Sequence, residues 1–290
     1  MTDVLAAATS MGAVTLDVAD LDAMTRYYTD GVGLEVLASG PGEVGVGRGG
    51  VPSLVLRHAA ALKHGSRSAA GLFHTAVLFD SRSALAAAVY SVATRYPTSF
   101  TGSSDHLVSQ AFYFDDPEGN GVELYWDRPR SAWRWDGAAV QMDTLALDPN
   151  AFLQEHLRDD ARPTGLAEIG HVHLKVGDIA AAKRFYVDVL GFETTARFGD
   201  QALFVSAGGY HHHVGMNTWQ SRGAGPRTPA LGLGQVSLRL PDLDSLAALE
   251  DRLRIAEVAV RHDGRELTFA DPWNNAVQAT IAAVGPDPTR

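Results

Sequence analysis

Residues 18–35 read VADLDAMTRYYTDGVGLE, and residues 176–193 read VGDIAAAKRFYVDVLGFE. Asp20, Ala23, Arg26, Tyr28, Asp30, Gly33 and Glu35 recur as Asp178, Ala181, Arg184, Tyr186, Asp188, Gly191 and Glu193, at a constant offset of 158 with no gap. Self-similarity of this kind marks duplicated supersecondary units and is read before any single element. A weaker repeat lies downstream, where Phe114–Leu124 (FDDPEGNGVEL) matches Phe269–Ala279 (FADPWNNAVQA). Its shared core is Asp116-Pro117 and Asp271-Pro272, each followed by an Asn at Asn120 and Asn275. Asp-Pro with Gly or Asn behind it is hairpin punctuation.

Four stretches open alike, each alternating apolar and polar residues: 13–18 (AVTLDV), 74–79 (HTAVLF), 171–176 (HVHLKV) and 235–240 (QVSLRL). Alternation predicts a half-buried strand. A helix is predicted after each, with apolar residues at 3–4 spacing such as Leu21, Met24, Tyr27 and Tyr28, or Leu243, Leu246, Leu249 and Leu253. Asp20, Ser81, Asp178 and Asp242 stand where N-caps belong. Short strands follow, so the chain resolves into four βαβββ units at about 11–58, 71–127, 168–219 and 231–281. Residues 1–127 carry modules one and two, 128–167 form a connector with one helix near 149–157, and 168–290 carry modules three and four.

The composition fits that reading. Of 290 residues, 46% are hydrophobic and 20% charged, which is globular rather than disordered or fibrous. A net charge of −10 argues against a nucleic-acid partner, which needs a basic face. The absence of cysteine excludes disulfides, thiol catalysis and thiolate metal sites, so any metal falls to His, carboxylate or water. The opening MTDVLAAATSMGAV has no cationic start, and no apolar run reaches membrane-spanning length. The expectation is a cytoplasmic protein with no membrane partner, forming a homo-oligomer on the base rates for soluble enzymes.

Four βαβββ units with these motifs resemble the vicinal oxygen chelate superfamily, which holds glyoxalases, extradiol ring-cleavage dioxygenases, drug-resistance binders and epimerases. The resemblance implies an α+β fold in which modules pair into two incomplete, cupped β-barrels with helices outside. It also implies that a metal lies in a cleft between paired modules, held by residues from the first and last strands. First-strand positions here are Ala13, His74, His171 and Gln235; last-strand positions include Glu123 and Gln278. Modules one and four then offer only Ala and Gln. Modules two and three offer His74, His171 and Glu123, a two-His, one-carboxylate set that leaves open positions, as in non-haem Fe(II) oxygenases. The metal cleft is therefore expected between modules two and three, holding Fe(II) or Mn(II). Glu123 sits between Val122 and Leu124, so alternation turns it to the opposite face, where an unpaired carboxylate would be costly.

The segment from His106 to Glu123 (HLVSQAFYFDDPEGNGVE) resembles the signature of extradiol dioxygenases, in Phe112-Tyr113, Asp116-Pro117, Gly119 and Glu123, with Ser104 as a departure. The resemblance implies that His106 and Tyr113 line the substrate pocket and donate hydrogen bonds to substrate oxygen. It also implies an acid/base His near the end of the module that gives a first ligand, where His211-His212-His213 stand. Read as a strand, His211 and His213 share one face, and His213 is expected to move the proton, since imidazole titrates near neutrality. His173, His211, Asn217 and Trp219 are the expected substrate-binding set. The loop 221–229 is either a lid or an ordinary surface loop.

The function implied is an Fe(II)-dependent extradiol dioxygenase of the catechol 2,3-dioxygenase type, taking an aromatic diol and O2. Two alternatives remain. A glyoxalase-type isomerase or lyase commonly has two carboxylate ligands, whereas module three ends in His. A metal-free binding or resistance protein would not need His74, His171 and Glu123 together.

Overall fold

The computed structural model describes residues 4–158 and 165–281. Residues 1–3, 159–164 and 282–290, which fall inside the ranges drawn from sequence, lie outside the described residues.

Each module is a strand, a helix and three strands. Module one has β1 (Val14–Val18), α1 (Leu21–Arg26), β2 (Glu35–Gly40), β3 (Glu43–Arg48) and β4 (Val51–His58). Module two has β5 (Gly71–Phe79), α2 (Arg82–Arg95), β6 (Phe100–Asp105), β7 (Ser109–Asp115) and β8 (Gly121–Asp127). The connector carries α3 (Pro149–His156), with Pro149 in its first turn and Asp148 accepting from the Asn150 and Ala151 amides. Module three has β9 (Ala167–Lys175), α4 (Ile179–Lys183), β10 (Glu193–Phe198), β11 (Ala202–Ser206) and β12 (Val214–Asn217). Module four has β13 (Gly232–Leu240), α5 (Leu243–Ile255), β14 (Arg261–His262), β15 (Glu266–Ala270) and β16 (Ala276–Ile281).

The caps fall where the sequence places them. Asp20, Ser81, Asp178 and Asp242 each accept the amide three residues on, with distances of 2.9, 3.2, 2.6 and 2.8 Å. That satisfies one of the orphan donors of the first turn. Helices α1 and α4 then widen. Val32 and Leu190 amides reach back five residues, to the Tyr27 and Phe185 carbonyls at 3.0 and 2.9 Å. The same one-turn widening in both copies follows from the shared Arg-aromatic-Tyr sequence.

In each module the first strand runs parallel to the last. Modules one and two do not share a sheet, and neither do modules three and four. One nine-stranded sheet joins modules four and one in the order β14-β15-β16-β13-β1-β4-β3-β2, with the short strand Ser10–Met11 also paired to β13. The other joins modules two and three in the order β6-β7-β8-β5-β9-β12-β11-β10, with Leu145–Ala146 of the connector on its edge. Each sheet is cupped, with helices on its outer side, so the α+β architecture of paired βαβββ modules holds.

Two matched contacts tie sequential modules across the sheets. Tyr28 of module one donates to Asp116 of module two at 3.2 Å, and Tyr186 of module three donates to Asp271 of module four at 2.9 Å. These are the repeated Tyr and the repeated Asp-Pro turn meeting each other. Asp116 also accepts from the amides of Glu118 and Asn120, at 3.0 and 2.9 Å. Apolar groups fill the space around them, including Tyr27, Tyr28, Phe79, Phe114 and Phe192, all buried. The connector closes one end: Trp133 packs on Tyr210 and His211, and its indole donates to the Arg128 carbonyl at 2.9 Å.

Burial pushes the Asp116 carboxyl up to about 6, even with these donors around it. Its folded value lies above the unfolded one, so folding takes up a proton between them. Its contribution is complete below the unfolded value near 3.9 and is lost as pH rises through about 6. The unfolding free energy of the wild type relative to Asp116→Asn is therefore expected to grow by up to about 3 kcal/mol as pH falls from 7 to 4. Urea denaturation across that range measures it; a flat difference would mean that the carboxyl ionises normally.

Candidate metal centre

Antiparallel pairing of β5 with β9 builds the site. His173 stands opposite His74, and His171 stands opposite Ala76. Parallel pairing of β5 with β8 then sets Glu123 opposite Ala76 on the other side. Ala76 thus has His171 on one flank and Glu123 on the other, and its small side chain leaves room for both. A bulge at Gly170 shifts the β9 register just before His171. The Tyr125 hydroxyl stands 1.7 Å from where a Cβ at Gly170 would be, so the bulge admits only glycine.

His74, Glu123 and His171 are all buried, and one ligand atom from each lies within 4.8 Å of the others. Glu123 Oε2 is 3.2 Å from His171 Nε2 and 2.9 Å from His74 Nε2. The His171 contact is a hydrogen bond. The His74 contact is not, for all its shortness: His74 Nε2 is buried with no hydrogen-bond partner. Two nitrogens and a carboxylate oxygen that converge with one nitrogen left unpartnered are a donor set for a divalent cation.

The charges agree. Burial alone would raise Glu123, but the two imidazoles beside it outweigh that and hold the carboxyl well below the usual range. Burial pushes His171 down to about 4, against the pull of Glu123. A neutral His171 beside an ionised carboxylate is the pair of protonation states a metal requires.

The triad lies in a cavity of about 1,100 Å³. His106, Tyr113, His173, His212 and Trp219 also line it. His106 Nδ1 is 2.8 Å from the Asp143 carbonyl, which can only accept. Nδ1 therefore carries the proton, and Nε2 accepts from the Tyr113 hydroxyl at 2.7 Å. Burial, then the charge of Glu123, raises Tyr113 well above its ordinary value, so the phenol stays protonated.

The His211–His213 run departs from the expectation. It is not a strand; β12 begins only at Val214. Strand alternation therefore does not apply. His212, not His213, lines the cavity, with its ring 4.1 Å from that of His171. His213 turns to the protein interior, where its Nδ1 accepts the Ala207 amide at 3.2 Å. Burial pushes His213 down to about 3, so it is held neutral there. His211 and Asn217 also miss the cavity wall and stand behind it. His211 binds Asp127 at 2.9 Å, and Asn217 donates to His173 Nε2 at 3.0 Å.

Behind His212 runs a buried chain that sequence reading missed. Asp127 accepts from His211 Nε2, and His211 Nδ1 meets His212 Nδ1 at 2.8 Å. If His211 donates from Nε2 to Asp127 and accepts at Nδ1, His212 donates through Nδ1 and its Nε2 is left bare. Tyr210 also donates to Asp127, at 2.8 Å, and meets Tyr125 at 2.7 Å. Alternation along β8 could have flagged this, since Glu123, Tyr125 and Asp127 share a face.

The equivalent cleft between modules one and four is different. Gln235 donates to Gln278 at 2.9 Å, and Gln278 donates to Glu266 at 2.7 Å. These amides satisfy one another, and the pocket there is only about 220 Å³.

Fold and site together define a class, and comparison with known proteins agrees. The family model described as Glyoxalase/Bleomycin resistance protein/Dioxygenase superfamily matches residues 10–124 and 168–279, and the chain belongs to that family. A catechol-2,3-dioxygenase of Bacillus subtilis (strain 168) is 36% identical over 276 residues, covering 92% of this chain and 95% of the relative. Among solved structures, a protein of Bacillus subtilis subsp. subtilis str. 168 is similar with a TM-score of 0.64 at 15% identity, covering 95% of this chain and 86% of its own. Glyoxalase I from Zea mays is similar with a TM-score of 0.59 at 16% identity, covering 94% and 92%. Both structures share the fold. No helix among the described residues is long and apolar enough to cross a membrane.

Purified protein loaded anaerobically is expected to hold about one divalent iron or manganese per chain by elemental analysis. His74→Ala and Glu123→Ala should each lose it while keeping the wild-type circular dichroism. Full retention in both would remove the triad as the metal centre.

Proposed function

We propose that the protein is an extradiol ring-cleavage dioxygenase that opens catechol-type aromatic diols with O2. The observation that carries this reading is the buried His74–His171–Glu123 set, with one carboxylate and an unpartnered His74 Nε2 facing it. The 36% identical catechol-2,3-dioxygenase supports it. His74, His171 and Glu123 would hold Fe(II), with Mn(II) as the other candidate. The metal would supply open coordination positions for the diol and for O2, and the redox chemistry that joins them.

The chain's own residues handle protons and orientation. A diol loses a proton as it binds to a cation. His212 is placed to take it, through the nitrogen that the Asp127–His211 chain leaves bare. The same ring can return the proton later. Tyr113, kept protonated, and His106 stand on the opposite flank of His74 as an ordered pair anchored to the Asp143 carbonyl. On diol binding, Tyr113 would turn its hydroxyl proton from His106 Nε2 to a substrate oxygen, orienting the diol and steadying negative charge there. Phe73, His173 and Trp219 form an aromatic wall, with ring centres 5.1 to 5.6 Å apart, against which an aromatic substrate packs.

The site favours this over the alternatives. The triad contains a single carboxylate, whereas the isomerase reading calls for two. A metal-free binder would have to leave a buried carboxylate against an unsatisfied imidazole with nothing gained. The diol and O2 are the partners proposed, with a homo-oligomer in the cytoplasm as the expected state.

With Fe(II)-loaded protein and catechol, oxygen uptake and a yellow product are expected, both abolished in His74→Ala and Glu123→Ala. His212→Asn should lower kcat by about 10²- to 10⁴-fold, the worth of a general acid–base group. His213→Asn should retain most of the activity. Equal losses in the two His variants would overturn the assignment of His212. No uptake with any diol despite bound iron would overturn the dioxygenase reading.

A further inference from the structure

The cavity runs well beyond the triad, and its far end is cationic. Along β9, His171, His173 and Lys175 occupy successive same-face positions, and all three line the cavity. At about 3.3 Å per residue, Lys175 lies on the order of 13 Å along the strand from His171. The residue paired opposite Lys175 is Gly71, at φ +140°, which has no side chain to cover it.

Lys175 is half-buried and has no carboxylate partner among the described residues. Its one hydrogen bond is donated to the Arg67 carbonyl, at 3.2 Å. An ammonium has three donors, so two are free to face the cavity. Burial, then the Arg67 charge, lowers its pKa below the usual lysine value. Arg67 comes from the linker between modules one and two, and among the described residues no ion pair holds its guanidinium. Two acidic groups reach the same end. Asp115 feels Arg67, and Glu118 accepts the Ala19 and Asp20 amides at 2.8 Å each. Arg227 is also there but is committed to Asn275 and the Leu233 carbonyl. Three cations, Lys175, Arg67 and Arg227, thus face two carboxylates, Asp115 and Glu118, which leaves this end with an excess of one positive charge.

We propose that this end is a recognition site for an anionic group on the substrate, so that the preferred diol carries an arm of a few atoms ending in a carboxylate. The inference rests on the dioxygenase reading for the diol end alone. A volume of about 1,100 Å³ is at the upper end of ordinary ligand pockets, far more than a bare catechol ring fills. The diol would sit at the triad, the ring and arm would lie along the His173–Trp219 wall, and the carboxylate would take the free Lys175 donors.

The test compares 3-(3,4-dihydroxyphenyl)propanoate with its neutral amide, which differ only in charge at the end of the arm. Binding is measured by calorimetry on the full chain, and turnover by oxygen uptake after Fe(II) loading, in wild type and Lys175→Met. The carboxylate is expected to bind about 10- to 100-fold more tightly than the amide in wild type, the worth of one charge-assisted hydrogen bond. In Lys175→Met that ratio should fall to near one, while turnover of plain catechol is unchanged. Equal binding of acid and amide in wild type, or a preference that survives in Lys175→Met, overturns the proposal and leaves the dioxygenase reading intact. Selective binding of the acid with no turnover of any diol supports the anion site and overturns the dioxygenase reading instead.

Discussion

Where β5 meets β9, the first strands of modules two and three share one sheet, and the site exists only because of that seam. His74 comes from one strand and His171 from the other, while Glu123 reaches the same point from β8 on the far side of β5. Three ligand atoms converge because the sheet curls there and Ala76 between them is small. The convergence is unfavourable without a cation. A buried carboxylate faces one imidazole through a hydrogen bond and another through a short contact that is not one. The surrounding strands over-determine that geometry, which is how a fold keeps a costly group in place.

The duplication explains why the molecule has two clefts and only one such site. The Tyr-to-Asp contacts, Tyr28 with Asp116 and Tyr186 with Asp271, are matched across the two halves and dock the modules alike. The clefts between the sheets' central strands have diverged. In one, Gln235 donates to Gln278, and Gln278 donates to Glu266, so the amides find partners within the protein. In the other, the same positions carry ionisable groups whose needs are not met within the protein. Polar satisfaction in one cleft and its absence in the other separates scaffold from site.

The cavity is also asymmetric along its length. Near the triad it is ringed by neutral imidazoles and a protonated phenol, held so by burial. Toward Lys175 it opens and becomes positive. Strand β9 runs along one wall, and its alternate residues His171, His173 and Lys175 carry a ligand, an aromatic ring and a cation in turn. One strand in register thus spaces three different chemistries at intervals set by the backbone.

Much of this was legible in the residues alone. The offset repeat defined the modules, the Asp and Ser caps placed the helices, and the recurrence of His at one strand position, with Glu123 on a later strand, singled out the ligand candidates. Those signals are local or periodic, so they survive in one dimension. The His211–His213 run shows the limit. Its composition marked it, but the choice among its three rings did not follow, because those residues form an irregular stretch before β12 in which alternation has no hold. Which ring faces the cavity was decided by Asp127 and Ala207, which take His211 and His213 and leave His212. Asp127 is distant in sequence from that run, as Lys175 is from the linker carrying Arg67. Periodicity along the chain thus determined the elements and the ligand types. The packing of separate strands and linkers decided which side chains share one space, because contact, burial and hydrogen-bond competition are properties of proximity and not of order along the chain.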